Sequence, residues 1–241
     1  MHGTTGEGVS LAHEEKKSLT KAWIDARAEA SLDRSFFLFI NVSSCVAGET
    51  LDHAKLCNEK GVDAIAFLPP FYYRPASVQH LTKYVTLIAS AAPDTPLVYY
   101  HFPEMTKVDF PVNQLLGNLV EEVPSFSGLK YTCKDIVQLT NIQREFGKRI
   151  KLFVGYEESI LAGIAVGLDS GICAQFNFPQ CVQNYRDIVE NVSKNPEKAA
   201  DAQSGLAVVA KELADGCFIA NVKRKLSLNM DVGGPRPPIL E

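Results

Sequence analysis

Phe126-Ser-Gly-Leu-Lys-Tyr-Thr132 is a short, mostly apolar run that ends in polar and aromatic side chains. Similar runs flank it on both sides in the sequence. Each is continuously apolar instead of alternating, which is typical of parallel strands covered on both faces. We therefore predict parallel strands at Phe36–Val42, Ala64–Leu68, Leu97–Tyr100, Gly128–Thr132, Lys151–Gly155 and Gly171–Gln175.

Amphipathic stretches with helical periodicity lie between these runs. The predicted helices are Leu11–Ala30, Glu49–Lys60, Val78–Ala92, Val112–Val123, Asp135–Phe146, Glu158–Leu168, Pro179–Val192 and Ala199–Leu213. Repeated strand–helix units indicate an α/β fold in which right-handed crossovers connect parallel strands.

Two parallel architectures compete for this pattern. A doubly wound sheet usually carries a glycine-rich phosphate loop after its first strand, and neither GxGxxG nor a P-loop is present. A (β/α)8 TIM barrel instead places functional groups at the carboxyl ends of several strands. Polar or aromatic groups end successive runs here, at Tyr100, at Lys130 and at Gly155–Glu158. The pattern favours the barrel.

We predict one domain over residues 1–241, including a C-terminal helical extension from about residue 179. Only six strand–helix units can be recognised, whereas the closed barrel needs eight strands. We therefore expect an incomplete barrel that lacks the first strand, the first helix and the second strand.

The composition is that of an ordinary soluble protein, with 46% hydrophobic and 22% charged residues. The net charge of −4 gives no reason to expect nucleic acid as a partner. We also expect no membrane association, since no apolar run approaches the roughly 20 residues of a membrane span and Met1–Gly8 is polar. Six cysteines without a CxxC motif indicate reduced thiols and a cytoplasmic protein.

Lys130 is the first candidate for chemistry. A lysine at a strand end is most often a surface group whose stem packs on apolar neighbours. A partly desolvated lysine can also supply an uncharged amine that attacks a ketone. Lys130 alone does not decide between these interpretations.

Tyr100 and the loop Gly3-Thr-Thr-Gly-Glu7 are the other two candidates. A strand-end tyrosine usually reflects β propensity, and a loop of this composition is usually a plain helix cap. The phenol could instead relay a proton, and the loop hydroxyls and N–H groups could hold a carboxylate.

The three elements together resemble the superfamily of N-acetylneuraminate lyase and dihydrodipicolinate synthase. The motifs are Gly-Thr-Thr-Gly-Glu7, Tyr100-His-Phe-Pro103 and Gly128-Leu-Lys-Tyr-Thr132, in that order, and the resemblance extends from Gly3 to about Pro238. The animal N-acetylneuraminate lyases are the best fit, through Gly155-Tyr-Glu-Glu158 and Gly234-Pro-Arg-Pro-Pro238.

The resemblance implies a class I aldolase that cleaves N-acetylneuraminate to N-acetylmannosamine and pyruvate. It makes Lys130 the Schiff-base lysine and Tyr100 the proton relay, with Thr5 favoured over Thr4 as the tyrosine's partner. The substrate would be bound by Thr4, Thr5, Thr132, Gly155, Glu157 and Glu158. The resemblance further implies that Tyr72 reaches a neighbouring subunit's site in a homotetramer, although an exposed aromatic after a prolyl turn is equally expected.

No metal or other cofactor is expected, because a protonated imine on Lys130 serves as the electron sink. The five histidines form neither HxH nor HExxH, which agrees with this expectation. The expected partners are therefore a small-molecule substrate, sialic acid or pyruvate, and further copies of the chain.

Several positions depart from the family pattern. Met105 stands where dihydrodipicolinate synthases usually have a carboxylate-binding arginine, which weakens that interpretation. Cys173-Ala-Gln175 replaces a usual Gly-Ser-Thr, and Glu157 replaces an aspartate found in many relatives. These departures leave two alternatives open: another pyruvate-dependent aldolase, and a catalytically silent member that only binds a ligand or partner subunits.

Overall fold

A computed structural model describes residues 1–32 and 36–239 of the chain. Its strands lie in the sheet order β1-β2-β3-β4-β5, and β1/β2 and β2/β3 are parallel pairs. Neighbours in sequence are thus neighbours in the sheet, as a series of crossover connections predicts. The strands are β1 (Phe39–Asn41), β2 (Ala64–Phe67), β3 (Leu97–His101), β4 (Phe126–Tyr131) and β5 (Lys151–Val154).

Helices separate the strands and follow the last of them. They are α1 (His13–Glu29), α2 (Ala47–Lys60), α3 (Val78–Ala91), α4 (Pro103–Thr106), α5 (Val112–Glu122), α6 (Ile136–Phe146), α7 (Ile160–Ala165), α8 (Pro179–Asn191), α9 (Pro196–Ala214) and α10 (Phe218–Leu226). Short 3-10 turns occur at Gly8–Ser10, Glu157–Ser159 and Ala174–Asn177.

Side-chain caps explain where several helices begin. Ser77 accepts the His80 N–H at 3.2 Å before α3, and Asp135 accepts the Gln138 N–H at 2.8 Å before α6. Such caps satisfy backbone donors that the first helical turn leaves without partners. Helix α2 ends at Gly61, whose φ of 65° suits glycine.

The chain divides into two compact units. Unit 1 comprises Met1–Leu129 with Arg149–Lys151, and unit 2 comprises Lys130–Lys148 with Leu152–Glu241, of which the last two residues lie outside the described part. The prediction of a single domain over residues 1–241 stays a prediction.

The core of unit 1 forms around its central strands. Every residue of β2 and β3 is buried, and Ile65 lies opposite Leu97 in the parallel register. Helix α3 packs against α2 and α5. Continuous apolar strands covered by helices are what the sequence pattern predicts.

In unit 2, α8 packs along α9, and both contact α7. Their buried side chains include Ile160, Ile188 and Leu206, each with 0% of its surface exposed. Within the described ranges of the chain, no helix is both long and apolar enough to cross a membrane.

The predicted sixth strand, Gly171–Gln175, is wrong. Gly171 makes one isolated parallel bridge to Val154, and residues Ala174–Asn177 then turn into a 3-10 helix. The chain leaves the strand direction because the buried Gln175 is held among polar groups of other elements. The predicted helices form with small shifts at their ends, whereas the sequence pattern missed α4 and α10.

Candidate active site

The loop that precedes α1 is folded tightly on itself in unit 1. The Glu7 N–H donates to the Thr4 carbonyl oxygen at 3.0 Å, and the Gly8 N–H donates to the Gly3 carbonyl oxygen at 3.2 Å. A side chain at Gly8 would overlap the carbonyl oxygen of His2, so only glycine fits there. The turn holds the two threonines at its tip.

Tyr100 and Thr4 meet within unit 1. The Tyr100 hydroxyl lies 3.1 Å from Thr4 Oγ1, and either group can be the donor. Tyr100 is 4% exposed, near the carboxyl end of β3. The Glu7-to-Thr4 turn thus places the Thr4 hydroxyl on the phenol, and the preference for Thr5 as the partner in the proton relay stays a prediction.

Lys130 is half-buried near the carboxyl end of β4, in unit 2. The side chain that follows it is anchored, because the buried Tyr131 hydroxyl shares its one proton between Gln138 Oε1 at 2.6 Å and the Asp135 carbonyl oxygen at 3.0 Å. These bonds fix the strand end to the start of α6. The backbone that carries Lys130 is therefore held on its carboxyl side.

Thr132 lies two residues beyond the lysine, packed against Gly155. Its side chain is 4% exposed, and its Oγ1 has no hydrogen-bond partner among the described residues. A Cβ at position 155 would overlap Thr132 Oγ1, which explains why glycine stands there. A buried hydroxyl without a partner is costly, so a ligand oxygen at this point would be favourable.

Thr132→Val should therefore stabilise the substrate-free chain by about 1 kcal/mol while weakening substrate binding. The reason is that valine keeps the volume but removes the unsatisfied hydroxyl. Urea unfolding without substrate and KM with substrate measure the two effects. The control is Thr140→Val on α6, which removes a hydroxyl that donates to the Ile136 carbonyl oxygen. A Thr132 variant less stable than the control would contradict this assignment.

Glu157 and Glu158 follow β5 and differ strongly in environment. Glu157 is 6% exposed, and its Oε1 accepts the Gln175 N–H at 2.9 Å, whereas Glu158 is exposed. Burial raises the pKa of the Glu157 carboxyl, while the Gln175 N–H and the charge of Lys130 oppose that rise. Lys130, Glu157 and Glu158 are thus electrostatic neighbours within unit 2.

Cys173 is a neighbour of the same charges. Its thiol donates to the Val154 carbonyl oxygen at 3.6 Å. Desolvation and the charge of Glu157 raise the pKa of the Cys173 thiol well above its ordinary value. At this pKa the thiol stays uncharged at neutral pH and acts as a small apolar group beside the charged ones.

Tyr72 is 73% exposed, and its ring packs edge-on against Tyr73 with 5.0 Å between the ring centres. Its assigned role in a neighbouring subunit stays a prediction. Among the described residues, no group of three or more His, Cys, Asp and Glu side chains is placed to hold a metal ion.

Sequence reasoning overlooked two glutamines that hold Glu157 in place, Gln175 and Gln203. Gln175 was noted only as part of a departure from the family pattern. One signal could have pointed to it, because a large amide in an otherwise apolar run needs buried hydrogen-bond partners.

Known proteins resemble this chain over most of its length. The family model described as the dihydrodipicolinate synthetase family matches residues 1–241. N-acetylneuraminate lyase B of Xenopus laevis is 31% identical over 178 residues, which cover 74% of this chain and 65% of that protein. N-acetylneuraminate lyase of Gallus gallus is 30% identical over 179 residues, covering 74% and 57% respectively. The chain thus spans less than two thirds of the length of these relatives.

Solved structures share the fold. Proteus mirabilis N-acetylneuraminate lyase superposes with a TM-score of 0.91 at 25% identity, covering 100% of this chain and 79% of that one. CdNal from Clostridium difficile, solved in complex with mannosamine, gives a TM-score of 0.88 at 26% identity, covering 100% and 80%.

Proposed function

Because this chain belongs to the dihydrodipicolinate synthetase family, we propose that it is a class I aldolase that cleaves N-acetylneuraminate to N-acetylmannosamine and pyruvate. The observation that carries the proposal is the end of β4, where the half-buried Lys130 precedes the unsatisfied hydroxyl of Thr132. A keto-acid site requires an amine nucleophile to attack the ketone. It also requires polar groups that bond to the ligand's oxygen atoms, and the Thr132 hydroxyl can do so.

The reaction would begin at Lys130. Its Nζ attacks C2 of the open-chain sugar acid, and loss of water gives an imine that is protonated on nitrogen. Removal of the C4 hydroxyl proton then breaks the C3–C4 bond, whose electron pair moves to the iminium to form an enamine. N-acetylmannosamine leaves as the aldehyde. Protonation of C3 and addition of water release pyruvate and restore the amine.

Tyr100 is the proposed proton relay. As its phenolic oxygen accepts the C4 hydroxyl proton, its own proton passes through the Thr4 hydroxyl, 3.1 Å away, to the substrate carboxylate, and it returns by the same route when C3 is protonated. Thr4 and Thr5, with the loop N–H groups, bind the substrate carboxylate. The scheme needs no metal or other cofactor, because the iminium accepts the electrons.

Tyr100→Phe should lower kcat by about 10²- to 10⁴-fold, since the ring keeps its packing but loses the proton carrier. Pyruvate release, measured in a coupled assay, reports the loss. Thr4→Val should also lower kcat, but by a smaller factor. Tyr73→Phe is the matched control, because Tyr73 is 86% exposed. A Tyr100→Phe variant with kcat equal to the control would exclude the relay.

Support for the sugar substrate comes from the relatives, which are named N-acetylneuraminate lyases. Two departures from the family pattern favour a second candidate with a different aldehyde partner: Ala174 lacks the hydroxyl of the usual serine, and Glu157 is one methylene longer than the usual aspartate. Parallel assays of pyruvate release from N-acetylneuraminate and from 4-hydroxy-2-oxo acids with shorter chains separate the two. Cleavage of only the shorter acids would refute the sialic acid assignment.

The proposal also includes a cytoplasmic homotetramer, which rests on the family resemblance. Native mass spectrometry of the purified chain tests the assembly. A monomer at micromolar concentration would contradict the tetramer and the role assigned to Tyr72.

A further inference from the structure

Helix α9 holds the turn that carries Glu157 through two glutamines. Gln203 belongs to α9 itself. Its Nε2 donates to the Glu157 carbonyl oxygen at 3.0 Å, and its Oε1 accepts the Leu161 N–H at 2.7 Å. One amide therefore connects the main chain at Glu157 and at the start of α7 to the same helix.

Gln175 reaches α9 from the opposite direction, and its side chain is 0% exposed. With the amide nitrogen toward Leu206, the side chain donates to the Leu206 carbonyl oxygen at 3.2 Å and accepts the Ala210 N–H at 3.0 Å. Leu206 and Ala210 are four residues apart and would normally bond to each other. The Gln175 amide thus bonds to both the acceptor and the donor of one helical turn of α9.

The main chain of Gln175 makes the contact that matters for the site. Its N–H donates to Glu157 Oε1 at 2.9 Å. This bond lowers the pKa of a carboxyl that burial would otherwise raise further, so it favours the charged form. Moving the Gln175 side chain would leave a buried donor and acceptor unsatisfied, and the N–H is therefore held in place.

We infer that Gln175 is a positioning residue that orients the Glu157 carboxylate for the aldehyde half of the substrate. The inference rests on the proposed function, with Glu157 assigned to the polyhydroxyl tail of the sugar acid as the family resemblance implies. Helix α9 then supports the turn Glu157–Ser159, and affinity for the tail depends on an amide side chain that does not touch the substrate.

Gln175→Met tests this, because methionine keeps the volume and loses both amide bonds. The KM for N-acetylneuraminate should rise about 3- to 10-fold with kcat within about twofold of the wild type. Borohydride trapping of pyruvate on Lys130 should be unchanged, since pyruvate has no tail. Gln143→Met is the matched control, because its amide donates to the Gly167 carbonyl oxygen, away from Glu157.

Gln203→Ala is a second variant that removes support from Glu157, and it serves if Gln175→Met does not fold. It should also raise the KM for N-acetylneuraminate. Thermal melts by circular dichroism establish which variants fold. An unchanged KM in folded Gln175 and Gln203 variants overturns the inference, and so does an equal loss of kcat and pyruvate trapping.

Failure of the proposed function looks different from failure of the inference. Absence of a pyruvate adduct in the wild type would refute the proposal that the chain is a class I aldolase. A pyruvate adduct without N-acetylneuraminate cleavage would refute the assignment of Glu157 to the sugar tail, and it would refute the inference about Gln175 as well.

Discussion

Lys130→Ala should reduce pyruvate release from N-acetylneuraminate by about 10⁴-fold or more, below detection in a coupled assay. The physical reason is that the proposed imine forms on Lys130, and without the iminium the electrons of the C3–C4 bond have no acceptor. Because Lys130 is half-buried at a strand end, the variant should still fold. Circular dichroism checks this condition.

Lys134→Ala is the matched control for the lysine. Lys134 is exposed four residues further on, with its Nζ 5.9 Å from the centre of the Tyr156 ring. The control should retain full activity. Equal activities of the two variants would mean that the chemistry does not pass through Lys130, and the catalytically silent alternative would then gain support.

Acidification from pH 7.5 to pH 5 should destabilise the fold strongly, through three buried histidines of unit 1. Burial lowers the pKa of His2 to about 4, of His53 to about 3 and of His101 to about 4. The charges of the amino terminus and Lys16 add to the effect at His2, whereas Asp109 opposes it at His101. All three side chains are uncharged in the native state at neutral pH.

The sign follows from proton binding. In the unfolded chain these imidazoles have a pKa near 6.5, so below that pH the unfolded state binds more protons than the native state. Their contribution is therefore fully present above about pH 6.5 and is lost as the pH falls toward 4. At pH 5 the loss is on the order of 2 kcal/mol for each histidine, against a typical total of about 5–15 kcal/mol.

Urea unfolding measured by the fluorescence of Trp23, the only tryptophan, tests the prediction. The midpoint should fall sharply at pH 5 with an unchanged slope. His53→Gln should weaken this pH dependence, whereas the exposed His80→Gln should not. A midpoint that is the same at both pH values would show that the three imidazoles are not held uncharged by the fold.

The sequence predicted most of the fold because the strands are apolar on both faces. Continuous runs such as Ala64–Phe67 and Leu97–His101 can be recognised without knowledge of their partners. The TIM-barrel fold class is confirmed by the likeness to solved N-acetylneuraminate lyases. The strand predicted from Gly171 does not form because the path of the chain depends on contacts of Gln175 with α9, which is distant in sequence.

The residues of the candidate site that lie at strand ends could be predicted from the sequence. Lys130 and Tyr100 lie near the ends of β4 and β3, as expected from their runs. The contact of the Tyr100 hydroxyl with Thr4 was not predictable, since it depends on how the loop turns. The burial of Glu157 could not be predicted from the sequence either, because tertiary packing brings Gln175 and Gln203 to it.

The proposed function depends on a Schiff base between Lys130 and a 2-keto acid. The most direct measurement is to incubate the chain with pyruvate, reduce it with borohydride, and locate the adduct by peptide mass spectrometry. We predict a single pyruvate-derived mass increase on the peptide containing Lys130, absent without pyruvate and absent in Lys130→Ala. Unmodified Lys130 in folded wild-type protein, or an adduct on a different lysine, would contradict the account.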